Sequence, residues 1–129
     1  VDNSLIKKNI LLVEDDKDIR SLYINKLYIE GFNVYPVGDG KQALVTLHNQ
    51  VIDLIILDII LPGGINGFEF LETVKKDPQR KNIPIIIFTN LDSERNTAME
   101  MGVSDYILKT SVTPDDFVGR MRAVLDKKV

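Results

Sequence analysis

Three acids stand side by side in the stretch Glu14-Asp15-Asp16, directly after the apolar run Ile10-Leu11-Leu12-Val13. Adjacent carboxylates repel one another, so water, helix-terminal N–H groups or a cation must offset them. A solvated turn in which one acid caps the next helix would meet that need without any function. A fourth acid, Asp58, closes Leu54-Ile55-Ile56-Leu57, Thr89 closes Ile85-Ile86-Ile87-Phe88, and Lys109 follows Asp105-Tyr106-Ile107-Leu108. Taken singly these read as a turn acid, a β-branched strand end and a solvated lysine. Together they supply carboxylates, a hydroxyl and an ammonium, each placed after an apolar run. A glycine-rich first turn would cradle a bare phosphate, but this first turn carries acids that repel one. A hard divalent cation reverses the sign: Mg2+ takes carboxylate oxygens and then accepts a phosphoryl oxygen.

Those residues share one rim only if the chain builds the right scaffold. Short apolar runs over Asn9–Val13, Asn33–Val37, Leu54–Leu57, Pro84–Thr89 and Asp105–Leu108 read as strands. Three of them are almost continuously apolar, as expected of parallel strands covered on both faces. Helical patterns fall between them, over about residues 17–30, 40–49, 67–76 and 93–101. The first stops at Gly31, a natural left-handed cap. A fifth helix starts at Thr113-Pro114-Asp115-Asp116, which supplies an N-cap, a proline at the first helical position and acids in the first turn. Five β–α units in series predict an α/β fold: a parallel five-stranded sheet with right-handed crossovers and helices on both faces. In such open sheets the reactive site lies beyond the carboxyl ends of the strands. Glu14, Asp15, Asp16, Asp58, Thr89 and Lys109 all fall there.

Bulk properties narrow the function class. A chain of 129 residues, 44% hydrophobic and 27% charged, fits one domain over residues 1–129. The net charge of −3 argues against nucleic acid as a direct partner. The basic group Lys75, Lys76, Arg80 and Lys81 lies where the third helix ends, where positive charge complements the helix dipole. There is no cysteine, so there is no disulfide or thiolate chemistry, which fits a reducing, cytoplasmic setting. His48 is the sole histidine, and its default place is a helix surface rather than a zinc site. The apolar runs are too short to span a bilayer, and no signal-like segment is expected at Val1.

The pieces VEDD, LDIILP, IFTN and DYILK, in that order, resemble the receiver domain of two-component response regulators over about the whole chain. The resemblance implies a doubly wound, flavodoxin-like (βα)5 three-layer sandwich with strand order 2-1-3-4-5. It implies that Asp58 is the phosphoacceptor and that Asp15 is a direct Mg2+ ligand. Glu14 would assist the metal through water, and the backbone carbonyl of Ile60 would complete the protein ligands beside Asp58. Thr89 would hydrogen-bond the phosphoryl group, Lys109 would pair with it, and Tyr106 would be the aromatic switch, swinging from solvent into space vacated by Thr89. The implied role is a signalling switch rather than an enzyme. A histidine kinase or histidine phosphotransfer domain would be its donor, and an output domain or downstream protein its target, with no membrane contact.

Three departures from the family pattern carry expectations. Leu61-Pro62-Gly63-Gly64-Ile65-Asn66-Gly67 has one glycine more than the family's loop, so a wider loop is expected after Asp58. The segment from Thr89 to Lys109 is about two residues short, which falls on the fourth helix and the face used for output. Thr110 stands where proline usually follows the lysine, and a cis bond without proline costs about 2.5–4 kcal/mol, so a trans bond is expected. Two other classes compete with this one. A phosphatase of the haloacid-dehalogenase type needs a second acid two residues after its nucleophile, and that position is Ile60. A pseudo-receiver, a binding module never phosphorylated, is opposed by the complete acid, threonine and lysine set but favoured by the shortened fourth helix.

Overall fold

The computed structural model describes residues 6–127, so Val1 and Val129, the expected limits of the domain, lie outside it. Strands β1 (Asn9–Val13), β2 (Asn33–Val37), β3 (Leu54–Leu57), β4 (Ile85–Thr89) and β5 (Asp105–Leu108) alternate with helices α1 (Lys17–Ile29), α2 (Gly40–Asn49), α3 (Gly67–Lys76), α4 (Arg95–Glu100) and α5 (Pro114–Asp126). The strands pair in the order β2-β1-β3-β4-β5, and every pair is parallel. This is the doubly wound flavodoxin-like arrangement.

Side-chain alternation along the strands sorts one sheet into two cores. Leu11, Val13, Ile55, Leu57, Ile85, Ile87 and Tyr106 point to the face covered by Ala43 and Leu47 of α2, Phe70, Leu71 and Val74 of α3, and Ala98 of α4. Ile10, Leu12, Leu54, Ile56, Ile86, Phe88 and Ile107 point to the other, under Tyr23 and Leu27 of α1 and Phe117, Val118 and Met121 of α5. Because both faces are covered, β3 and β4 are buried at every residue. On the second face Tyr23, Phe88 and Phe117 form a mutual cluster with ring centres 4.6–5.1 Å apart. Edge-to-face and tilted contacts of this kind suit the ring quadrupoles.

The helix ends follow local chemistry. Asp16 caps α1, accepting from the N–H groups of Asp18 and Ile19; Asn66 and Glu69 form a capping box at α3; Thr113 caps α5 ahead of Pro114. Gly31 adopts φ 95 after α1, the left-handed stop its position predicts. Two boundaries differ from the sequence reading. Strand β4 begins at Ile85 rather than Pro84, since proline has no N–H for the ladder. Helix α4 holds only six residues instead of running from Ser93 to Met101. Glu94 occupies its N-cap without a side-chain hydrogen bond, so nothing extends the helix across the preceding turn. Among the described residues no peptide bond is cis, and Lys109–Ser111 form a turn of 3-10 helix into the loop before α5.

Candidate functional site

Parallel pairing brings the carboxyl ends of β1, β3, β4 and β5 to one rim. Leaving β1, Glu14 donates its N–H to the Val37 carbonyl at 3.0 Å, and Asp58 N–H donates to the Val13 carbonyl at 3.2 Å. The ladder therefore continues one residue past each apolar run, and it carries the acids inward with it. Glu14, Asp58 and Thr89 are the buried polar residues of the described chain, at 1%, 5% and 0% exposure. Asp15 and Asp16 are exposed. Asp16 is spent on capping α1, so the plain reading holds for that acid alone.

Lys109 is not a solvated lysine. Its side chain is 8% exposed, with Nζ 2.6 Å from Asp58 Oδ2 and 2.7 Å from Glu14 Oε1. Burial works to lower its pKa, but hydrogen bonding to Asp58 and Glu14 outweighs this and holds the ammonium charged above its ordinary range. Burial pushes the Glu14 carboxyl up, against the lowering effect of Lys109 and of the Asp16 N–H. The second Asp58 oxygen, Oδ1, accepts from the Ile60 N–H at 3.0 Å. One cation thus faces two buried carboxylates, and the rim keeps an excess of negative charge.

That excess suits a divalent cation. One oxygen from each of Glu14, Asp15 and Asp58 can be chosen so that all lie within 4.8 Å of one another. Glu14 Oε1 is buried, and among the described residues its partner is the Lys109 ammonium at 2.7 Å. The donor set is all oxygen, which matches Mg2+ rather than zinc or copper. His48 lies on the exposed face of α2, apart from these acids.

Thr89 Oγ1 accepts from the Leu91 N–H across a long 3.4 Å. Leu91 in turn accepts, at its carbonyl, from the Tyr106 hydroxyl. Tyr106 is 1% exposed, which corrects the expectation that its ring starts in solvent. The ring belongs to the core under α2, α3 and α4, and Arg95, at the head of α4, lays its guanidinium 4.9 Å from the ring centre. Burial pushes the Tyr106 hydroxyl pKa up, so it remains a donor. The loop after Asp58 carries Gly63 at φ 87, and Ile65 within it packs against Gly40, so the extra glycine is absorbed in an outward turn.

Three residues of the site were not singled out by sequence. Gly67 starts α3 with its N–H on the Ile59 carbonyl at 2.9 Å. A Cβ there would lie 2.5 Å from the Asp58 carbonyl oxygen, so only glycine lets the helix seat behind the acid. Arg20 donates to the Glu14 carbonyl at 2.8 Å, and Arg95 covers Tyr106. The glycine at the head of a capped helix was a legible signal; the two arginines had none, because helix-surface arginines are common.

The sequence profile of the response regulator receiver domain matches residues 10–122. The transcriptional regulatory protein CpxR of Klebsiella pneumoniae is 40% identical over 118 residues, covering 90% of this chain and 48% of that protein. The regulatory protein VanRc of Enterococcus gallinarum is 32% identical over 122 residues, covering 93% of this chain and 51% of its own length. The chain thus spans about half the length of these curated relatives. Among solved structures, a CheY-like response regulator receiver domain protein from Methanospirillum hungatei superposes with a TM-score of 0.84 at 30% identity, covering 94% of this chain and 95% of that one. The receiver domain of a Francisella response regulator gives a TM-score of 0.84 at 27% identity, covering 95% of this chain and all (100%) of that one. Matching profile, parallel order and the Glu14, Asp15 and Asp58 acids agree: the chain belongs to the response regulator receiver domains of two-component systems.

Proposed function

We propose that this receiver domain is switched by phosphorylation of Asp58, with Mg2+ held by Asp15, Asp58 and the Ile60 backbone carbonyl and assisted by Glu14 through water. The observation that carries this reading is the position of Lys109, whose ammonium touches Asp58 and Glu14 within an otherwise acidic rim. Mg2+ bound there supplies charge neutralisation for the phosphoryl oxygens and orients them. Asp58 supplies the nucleophile: its outward oxygen forms the O–P bond as the P–N bond to a donor phosphohistidine breaks, and the imidazole leaves with the electron pair. Lys109 keeps its proton and follows the developing charge from carboxylate to phosphoryl oxygen. No general base is needed, since the carboxylate is already ionised.

Thr89 and Tyr106 form the switch. When Thr89 turns its hydroxyl to the phosphoryl group, Leu91 loses the acceptor for its N–H, and the Leu91 carbonyl is the group that holds Tyr106. One local charge change thereby biases a two-state element. The donor is a histidine kinase or histidine phosphotransfer domain, and the receiver is a phosphoacceptor rather than an enzyme acting on other substrates. It acts in the cytoplasm as one domain over residues 1–129, and passes the signal to an output domain or protein without touching nucleic acid itself. Among the described residues no helix is long and apolar enough to cross a membrane.

Acetyl phosphate with Mg2+ should label the chain once, and borohydride trapping with mass spectrometry should place the label on Asp58. Label that persists in Asp58→Asn would remove the assignment. The six-residue α4 favours one other reading, an interaction module that is never phosphorylated. Beryllofluoride with Mg2+ separates the two: a receiver shows shifts in NMR signals at Thr89 and Tyr106, a pseudo-receiver none.

A further inference from the structure

Arg20 is half-buried on the first turn of α1, among Glu14, Asp15, Asp16 and Asp18. It nevertheless forms no ion pair with any carboxylate among the described residues. Its Nη1 donates instead to the backbone carbonyl of Glu14 at 2.8 Å. That carbonyl and the N–H of Asp15 belong to one rigid plane, so fixing one sets the direction in which Asp15 leaves the strand. The far side of the turn is already fixed. Asp16 N–H donates to Glu14 Oε2 at 3.1 Å, and the Asp16 carboxylate holds the first turn of α1. Asp15 spans these two anchors, and no side-chain hydrogen bond holds its exposed carboxylate among the described residues.

A second observation points the same way. Gly38 follows β2 with no left-handed φ to require glycine, yet a Cβ there would sit 3.1 Å from Arg20 Nη1. A side chain there would press on the guanidinium where it meets the Glu14 carbonyl. We propose that Arg20, seated against Gly38, is a positioning residue that aims Asp15 at the metal. This rests on the reading of the acid cluster as a Mg2+ site.

Charge alone predicts the opposite. A guanidinium near the site repels a divalent cation, so removing it would tighten Mg2+ binding if it acted only as a charge. Positioning predicts weaker binding, by about tenfold, the lower end for loss of a group that orients a metal ligand. The test measures Mg2+ affinity by calorimetry for wild type, Arg20→Gln and Gly38→Ala, with acetyl-phosphate labelling at saturating Mg2+ alongside. Both variants should bind Mg2+ more weakly, and for Gly38→Ala labelling at saturation should stay within roughly twofold of wild type. Gly38→Ala keeps the charge and touches no metal ligand, so it carries the test if Arg20→Gln folds poorly. Wild-type binding with either folded variant equal or tighter overturns the positioning role alone. A wild type that binds no Mg2+ overturns the metal site and this inference together.

Discussion

The guanidinium of Arg95 stacks 4.9 Å from the centre of the Tyr106 ring and donates from Nη1 to the Tyr106 carbonyl at 3.0 Å. Arg120 reaches the same carbonyl from α5 at 3.4 Å while pairing with Asp105. The proposed switch residue is therefore closed in by cations from two helices, and its hydroxyl is tied to Leu91. Arg95 itself is exposed and stands on a helix of six residues, so this is the part of the enclosure that opens most easily. Arg95→Ala should cost only about 0.5–1 kcal/mol of stability, the range for an exposed cation–π contact. It should move the Tyr106 ring signals in NMR spectra without phosphoryl mimic, toward those wild type shows with beryllofluoride and Mg2+. Unchanged Tyr106 signals in the variant would show that Arg95 plays no part in holding the ring.

Gly67 links the stability of the domain to the geometry of Asp58. A Cβ at this position would press on the Asp58 and Ile59 backbone, at 2.5 Å from both the Asp58 carbonyl oxygen and the Ile59 Cα. Neither contact is the end of a flexible side chain, so the helix or the strand end must shift. Gly67→Ala is expected to lower stability by about 1–3 kcal/mol, the usual cost of overpacking, despite the better helix propensity of alanine. Labelling by acetyl phosphate should slow in the same variant. Gly64→Ala, with open space around its Cβ, serves as the neutral comparison in urea unfolding. Equal midpoints for the two variants would mean that α3 is not seated as described.

Mg2+ should stabilise the folded chain, because it binds an acid cluster that exists only after folding. At a concentration one hundred times its dissociation constant the gain is about 2.7 kcal/mol. Asp15→Asn should reduce this gain more than Glu14→Gln, since Asp15 is placed as a direct ligand and Glu14 as a water-mediated one. Thermal melts of the three proteins with and without Mg2+ give the order directly. A reversed order would assign direct contact to Glu14, whose carboxylate is buried beside Asp58.

Much of this arrangement was legible before any coordinates, for identifiable reasons. The continuous apolar runs of β3 and β4 can only be covered on both faces, and that alone sets the parallel sheet and its rim of strand ends. Asp58 follows β3, Thr89 closes β4, and Lys109 follows β5 in the same sheet. What escaped was set by side chains reaching across the chain. Arg95, eleven residues before Tyr106, reaches its ring and its carbonyl, and no local pattern distinguishes that arginine from a solvated one. The limits of α4 escaped as well, since its sequence is mostly polar and Ala98 is its one buried residue. The extra glycine was visible, but its outward turn at Gly63 depends on how Ile65 meets Gly40.

The lifetime of the phosphorylated state follows from what flanks Asp58. An acyl phosphate is lost when water attacks phosphorus in line, opposite the Asp58 oxygen. Ile60, two residues after the acceptor, is 55% exposed, an unusual cost for a large apolar side chain beside an acidic rim. Leu91, two residues after Thr89, is half-buried and packs against the core face that holds Tyr106. Neither side chain can orient or deprotonate a water, and an apolar side chain on the line of attack would keep one out. Self-dephosphorylation is therefore expected to be slow, as suits a persistent signal. Ile60→Asn should speed it more than Leu91→Glu, because Leu91 is partly turned inward and its backbone already serves Thr89 and Tyr106. Phosphate release from the three labelled proteins in one Mg2+ buffer decides the matter. If neither polar replacement shortens the lifetime, shielding by these two side chains is not what protects the phosphoryl group.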